Sequence, residues 1–226
     1  MSLTYAQYVT ELATLTVIPE DDTSFVSNLP TVINYSEERC YRELNLLATI
    51  VRDSSSNATA NSRDFTLPSS LGRFVVVNGI NFVTPVGSTT SDGTRNGLLQ
   101  TSRDYIDYTW PSNTASASTT VPELFAMITD QTVIFGPPPG DTFNVEVVGT
   151  IRPTPLSDSN TTTYLSLYLP DLFMAASMVF MSGYQKNFGA QADDPKMAQS
   201  WETQYQILFK SANTEETRKR YAMGKW

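Results

Sequence analysis

Hydrophobic spacing changes twice along this chain, and that change limits its architecture more than any other feature. Up to Leu47, and again from Leu169 onward, apolar residues recur at intervals of three and four, as one face of a helix demands. Between Ala48 and Pro155 they fall into short runs separated by Ser, Thr, Asn, Gly and Pro, the pattern of strands joined by turns. Helical ends around a β-type middle specify an α+β chain: a bundle of three to four helices with an inserted antiparallel β-barrel or sandwich module. The 226 residues then divide into a helical domain from 1–47 and 156–214, an inserted β domain over 48–155, and an extended C-terminal tail over 215–226. A chain of this length can bury one substantial core or two modest ones.

Tyr5, Tyr8, Val9 and Leu12 mark a first helix, capped by Ser2 or Thr4 and ending near Thr16. After a loop with Pro19 and three acids, Asp22 or Thr23 opens a second helical region. Pro30 suits a first turn, so the main helix is expected to begin there and run to about Leu47. Ile33, Ser36, Cys40, Leu44 and Leu47 form its inward stripe, with Glu37, Glu38, Arg39, Arg42 and Glu43 around it. The pairs Glu38/Arg42 and Arg39/Glu43 stand four residues apart and support the helix by about 0.3 kcal/mol each. A third helix, apolar almost all round, begins near Pro170 and is terminated by Gly189. A fourth starts at Asp193 or Asp194 with Pro195, and its stripe is Met197, Trp201, Tyr205, Leu208, Phe209 and Ala212. These two should pack as a hairpin onto the second helix.

Strands are expected at 48–52, 63–67, 74–77, 80–84, 98–101, 124–128, 132–135 and 143–151, with a hairpin turn at 129–131. Ser102 can cap a short helix over 103–108. The polar stretches 86–96 and 111–120 read as exposed loops, and long loops inside a compact domain bind something or stay mobile.

Chemistry is constrained by what the chain lacks. It has no histidine, which removes the Ser-His-Asp and Cys-His arrangements, imidazole metal ligands and the usual near-neutral base. Cys40 is its only cysteine, so neither an internal disulfide nor a Cys-rich zinc site can form. The pairs Asp104/Asp107 and Asp193/Asp194 come without the apolar pocket that would separate two carboxylate pKa values, and Asp193/Asp194 read better as helix caps. Residues 136–140 (GPPPG) lack the Lys-Ser/Thr that a phosphate-binding loop needs. Met174, Met178 and Met181 read as core. No cofactor or metal is expected, and the reading is not an enzyme.

The N-terminus lacks a basic region followed by an apolar stretch, and the longest apolar run, 172–181, is too short to span a bilayer. A soluble protein made in the cytosol, with no membrane partner, is the expectation. The formal net charge of −8 argues against general nucleic-acid affinity, but charge is unevenly placed. Residues 217–226 carry four basic and no acidic side chains, leaving −12 on residues 1–216. An acidic body with a basic, aromatic end can join head to tail with copies of itself or dock into an acidic cleft on a partner.

Residues 34–47 (NYSEERCYRELNLL), 102–112 (SRDYIDYTWPS), 133–139 (VIFGPPP), 145–156 (VEVVGTIRPTPL) and the whole of 169–221 together resemble the head-to-tail adaptor proteins of tailed bacteriophages, especially short-tailed ones. The resemblance is most specific from Leu169 through Pro195 to Trp201. It implies a ring, usually of twelve copies, between the portal protein and the tail nozzle protein at the virion's head-tail junction, with genomic DNA passing through its channel without specific binding. It also implies that 215–226 is a portal-docking arm, with Arg218, Lys219, Arg220 and Lys225 as electrostatic contacts and Tyr221 and Trp226 as aromatic anchors. The ring would need a heterologous interface, for which Glu38, Arg39, Arg42 and Glu43 are the candidates. An acidic channel would repel phosphate and let the duplex slide. The alternative reading is a receptor- or carbohydrate-binding β module, suggested by Tyr105, Tyr108 and Trp110; a carboxylate hydrolase is a third.

Overall fold

The computed structural model describes residues 2–184 and 195–224, and its chain separates into two compact units, 1–48 with 154–226 and 49–153. Its helices are α1 (Tyr5–Thr16), α2 (Thr23–Glu43), α3 (Arg103–Thr109), α4 (Tyr164–Tyr168), α5 (Pro170–Tyr184) and α6 (Pro195–Ala222). All but α3 belong to the first unit.

Local chemistry fixes the helix ends. Thr4 and Gln7 form a reciprocal capping box on α1, and Asp22 accepts the Ser24 and Phe25 amides to start α2. That cap moves the start of α2 ahead of its expected place: Pro30 lies inside the helix, which ends at Glu43 rather than Leu47. Proline there deprives the Val26 carbonyl of its partner, a loss that Val26's exposure lets water repair. The helices share one core. Tyr8 stacks on Phe173 at 4.6 Å and its hydroxyl bonds Ser177, while Leu12, Val32, Ile33, Cys40 and Met178 fill the space between α1, α2 and α5.

The second unit contains β1 (Ile50–Ala58), β2 (Asp64–Thr66), β3 (Arg73–Thr84), β4 (Thr94–Gly97), β5 (Leu99–Gln100), β6 (Leu124–Met127), β7 (Thr132–Gly136) and β8 (Phe143–Arg152). They form two four-stranded sheets, ordered β1-β8-β3-β4 and β2-β7-β6-β5. Among the described residues these do not close into the barrel that was one of the two expected forms, and the β5–β6 pair is parallel, not antiparallel. Strands as short as β2 and β5 cannot sustain the continuous tilted ladder that closure requires. Both sheets contribute to a shared core, where the Phe82 ring meets Phe135 edge-on at 4.9 Å. The expected strands 74–77 and 80–84 are one strand with register shifts at Phe74/Val76 and Val77/Gly79, and β4 takes in the last three residues of the expected loop 86–96.

α3 covers the outer side of the second sheet through Ile106, which packs with Ala126, Ile134 and Trp110. The outer side of the first sheet carries no helix of this unit.

Candidate functional site

The resemblance directs attention to the basic C-terminal end and the charged face of α2, and the fold joins both to α6. The segment 215–222 is not an extended tail: it forms the last two turns of α6. The correction has a physical cause in Glu216, which sits on the same side of α6 as Tyr205 and Ala212 and is almost wholly buried, at 3% exposure. Its carboxylate accepts the Leu47 amide (2.9 Å), the Lys219 ammonium (2.8 Å) and the Tyr164 hydroxyl (3.4 Å). Burial pushes the Glu216 pKa up, but these donors outweigh it and hold the group below the usual carboxylate range. Two turns of helix that would fray in isolation are thereby tied to the segment following α2.

Among the expected docking residues, Lys219 is engaged inside the chain. It also reaches Glu215 at 2.7 Å and lies 5.8 Å over the Tyr164 ring, and these partners raise its pKa against the lowering effect of burial. Arg220 grips Asn45, donating to its carbonyl (2.9 Å) and its side-chain oxygen (2.5 Å). Arg218 and Tyr221 face solvent, as does Met223 just beyond the helix. Lys225 and Trp226 lie outside the described residues, as do the expected caps Asp193 and Asp194 and the expected stop Gly189.

The expected interface residues divide in the same way. Arg39 forms a two-pronged bond with Glu202 of α6, 2.8 and 2.6 Å, and a third to Glu43 at 3.2 Å. Its guanidinium stands 4.0 Å over the Tyr205 ring, and the Tyr205 hydroxyl donates to Glu43 at 2.7 Å. Arg39 and Glu43 therefore bind α2 to α6 of the same chain. Glu38 and Arg42 remain on the surface as a loose pair, 3.9 Å apart. Glu37, grouped by spacing with the solvated charges, is buried: it accepts the Leu156 amide at 3.2 Å and the Thr163 hydroxyl at 3.1 Å, and burial pushes its pKa up to about 7. Its one sequence clue is its place next to Ser36 and three before Cys40 on the buried stripe.

In the β unit, Trp110 is spent on packing. A Cβ at Gly136 would stand 2.6 Å from its ring, and the Arg63 side chain donates to its carbonyl. Tyr105 is half-exposed and Tyr108 almost wholly so. Asp107 pairs with Arg63 and Arg103, both at 3.2 Å. Among the described residues there is no cluster of three or more His, Cys, Asp or Glu able to hold a metal, and no helix long and apolar enough to cross a membrane. Burial pushes the Cys40 thiol up to about 12, which leaves it unreactive.

No curated protein matches the chain. A family model described as SU10 adaptor protein matches residues 3–224, including every helix and strand described above. Matched over nearly its whole length, the chain belongs to the SU10 adaptor protein family and is a bacteriophage adaptor protein.

Proposed function

We propose that this adaptor forms a closed ring, of twelve copies by family resemblance, joining the portal protein to the nozzle of a short-tailed phage and leaving a channel for the genome. The observation that carries the portal contact is the end of α6. Glu216, Lys219 and Arg220 anchor the helix on one side, its opposite side presents Arg218 and Tyr221 to solvent, and Met223 is exposed just past its end. A basic, aromatic end on a fixed helix can fill a cleft at small entropic cost, because the backbone is already ordered. Arg218, Tyr221, Lys225 and Trp226 are the portal contacts in this reading, with Lys219 and Arg220 holding the helix that presents them.

Deleting 215–226 is a poor test, since it also removes the buried Glu216. The better one combines Arg218→Glu and Tyr221→Ala in the full chain and measures co-sedimentation with purified portal. Loss of portal binding with an unchanged thermal midpoint is expected. Undiminished binding by that variant and by a chain ending at Ala222 would overturn the portal contact.

A further inference from the structure

Two patches on this chain hold apolar side chains out to solvent, and they match each other. The first is the outer face of the sheet β1-β8-β3-β4. Strand alternation puts Phe74, Phe82, Val145 and Val147 in the core, and the opposite face receives Arg52, Arg73, Arg95 and Val76. The register shifts in β3 turn two successive valines outward, Val75 at 55% and Val76 at 50% exposure, where regular alternation would hide one. Glu146 lies flat on this face, buried beneath Arg95 (3.0 Å), Arg52 (3.6 Å) and Asn81 (2.8 Å). It holds two guanidinium groups in place while its own charge is covered. An apolar centre rimmed by arginine has the composition of a protein interface.

The second patch is the turn between α1 and α2. Val17 is 89% exposed and holds φ +56°, a left-handed conformation that a β-branched residue adopts only at a cost. Glycine would relieve that strain, and an exposed valine returns nothing to a lone chain. Leu15 and Val26 are exposed nearby in sequence, and Glu20 and Asp21 are exposed between them, in no ion pair among the described residues. This turn is apolar with an acidic rim, and the sheet face is apolar with a rim of three arginines, of which Arg73 is paired with Asp130 and Arg52 and Arg95 with the covered Glu146.

We infer that the α1–α2 turn of one copy docks on the outer face of the β1-β8-β3-β4 sheet of the next, so that a second copy of this chain covers both patches. Two different, complementary surfaces on one chain make the heterologous contact that closes a ring. The inference rests on the ring reading and names its interface. Arginines at the rim make the contact weaken as salt is raised.

The experiment is analytical ultracentrifugation of the full chain, alone and with purified portal as template. One variant carries Arg52→Glu with Val76→Glu, leaving Arg95 to hold Glu146. The other carries Glu20→Lys with Asp21→Lys, leaving Asp22 to cap α2. Each alone should lose self-association at least tenfold, and an equimolar mixture should regain it, because every contact in an alternating ring is then complementary. Val17→Gly guards against misfolding: it should weaken association while the thermal midpoint holds or rises. Wild-type assembly by either double variant, or a mixture of folded variants that stays apart, overturns the interface and leaves the ring standing. A wild-type chain that stays monomeric with and without portal overturns both. Salt-sensitive binding of duplex DNA that Arg52→Glu with Val76→Glu abolishes, with assembly intact, gives the sheet face to nucleic acid instead.

Discussion

Replacing Glu216 tests whether the last turns of α6 are held by the fold. In Glu216→Ala the Leu47 amide loses its acceptor in a partly buried place, a cost of about 1–3 kcal/mol. The bond to the Lys219 ammonium goes as well, adding about 1 kcal/mol for a partly exposed pair. Glu216→Gln keeps an acceptor for Leu47 and loses only the charge, so it should cost about 1 kcal/mol. Urea unfolding reads the total: at a slope of about 2–3 kcal/mol per molar, the alanine variant should shift the midpoint down by about 1 M. Amide exchange at Leu47 isolates the local part, and it should quicken far more in alanine than in glutamine. The carboxyl's depressed pKa adds a pH signature. A depressed carboxylate contributes stability above its unfolded pKa, and that contribution fades as pH falls through the lower folded value. Lys219, raised in the fold, contributes below its unfolded pKa and loses that contribution only as strong alkali reaches the folded one. Equal midpoints for the alanine and glutamine variants, with Leu47 exchange unchanged, would refute the account of how 215–222 is ordered.

Glu37 should behave in the opposite sense to Glu216. Its folded pKa of about 7 lies above the unfolded value, so stability is greatest below the ordinary carboxylate pKa and falls as pH rises toward 7. In Glu37→Gln that slope of thermal midpoint against pH should flatten, as differential scanning calorimetry would show. Arg39→Ala should cost about 2–3 kcal/mol in urea unfolding, and Arg39→Lys should recover less than half of it, since lysine cannot span both Glu202 oxygens while stacking on Tyr205. Gly136→Ala should cost about 1–3 kcal/mol and move the Trp110 emission, because the new methyl group meets the indole face.

The parts of the fold that spacing made legible are those where one local rule dominates. Thr4, Ser102 and the apolar run after Pro170 place α1, α3 and α5 correctly because caps and periodicity act within one turn. β6 and β7 with their turn at 129–131 are equally local. Misreadings occur where a distant partner decides. Asp22 capping Thr23 was read as a helical start, but Pro30 was expected to begin the main helix, whereas it lies inside α2, seven residues after the first. The 86–96 stretch has no hydrophobic alternation, yet Thr94–Gly97 is a strand because β3 offers it a ladder and Glu146 a partner for Arg95. The 215–222 stretch looked like a tail because its only buried residue is a glutamate, which hydrophobic spacing does not count.

The same limit applies to surface charge, and it bears on the ring proposed above. Sequence spacing treats Glu37, Glu38, Arg39, Arg42 and Glu43 as one solvated face. The fold buries Glu37, gives Arg39 and Glu43 to α6, and leaves only Glu38 and Arg42 outside. Arg39 and Glu43 are satisfied within the subunit before any neighbour arrives, so an assembly that relied on them would have to break bonds in order to make them, whereas Arg52, 65% exposed and 3.6 Å from Glu146, keeps its guanidinium open to a second partner. Groups whose bonding gains nothing from their own chain can instead be saved for contact: the outward valines of β3, the strained Val17 and the acids of the α1–α2 turn. The ring proposed above is better served by surfaces of that second kind, each too small to hold two copies firmly, yet cumulative once such a ring closes.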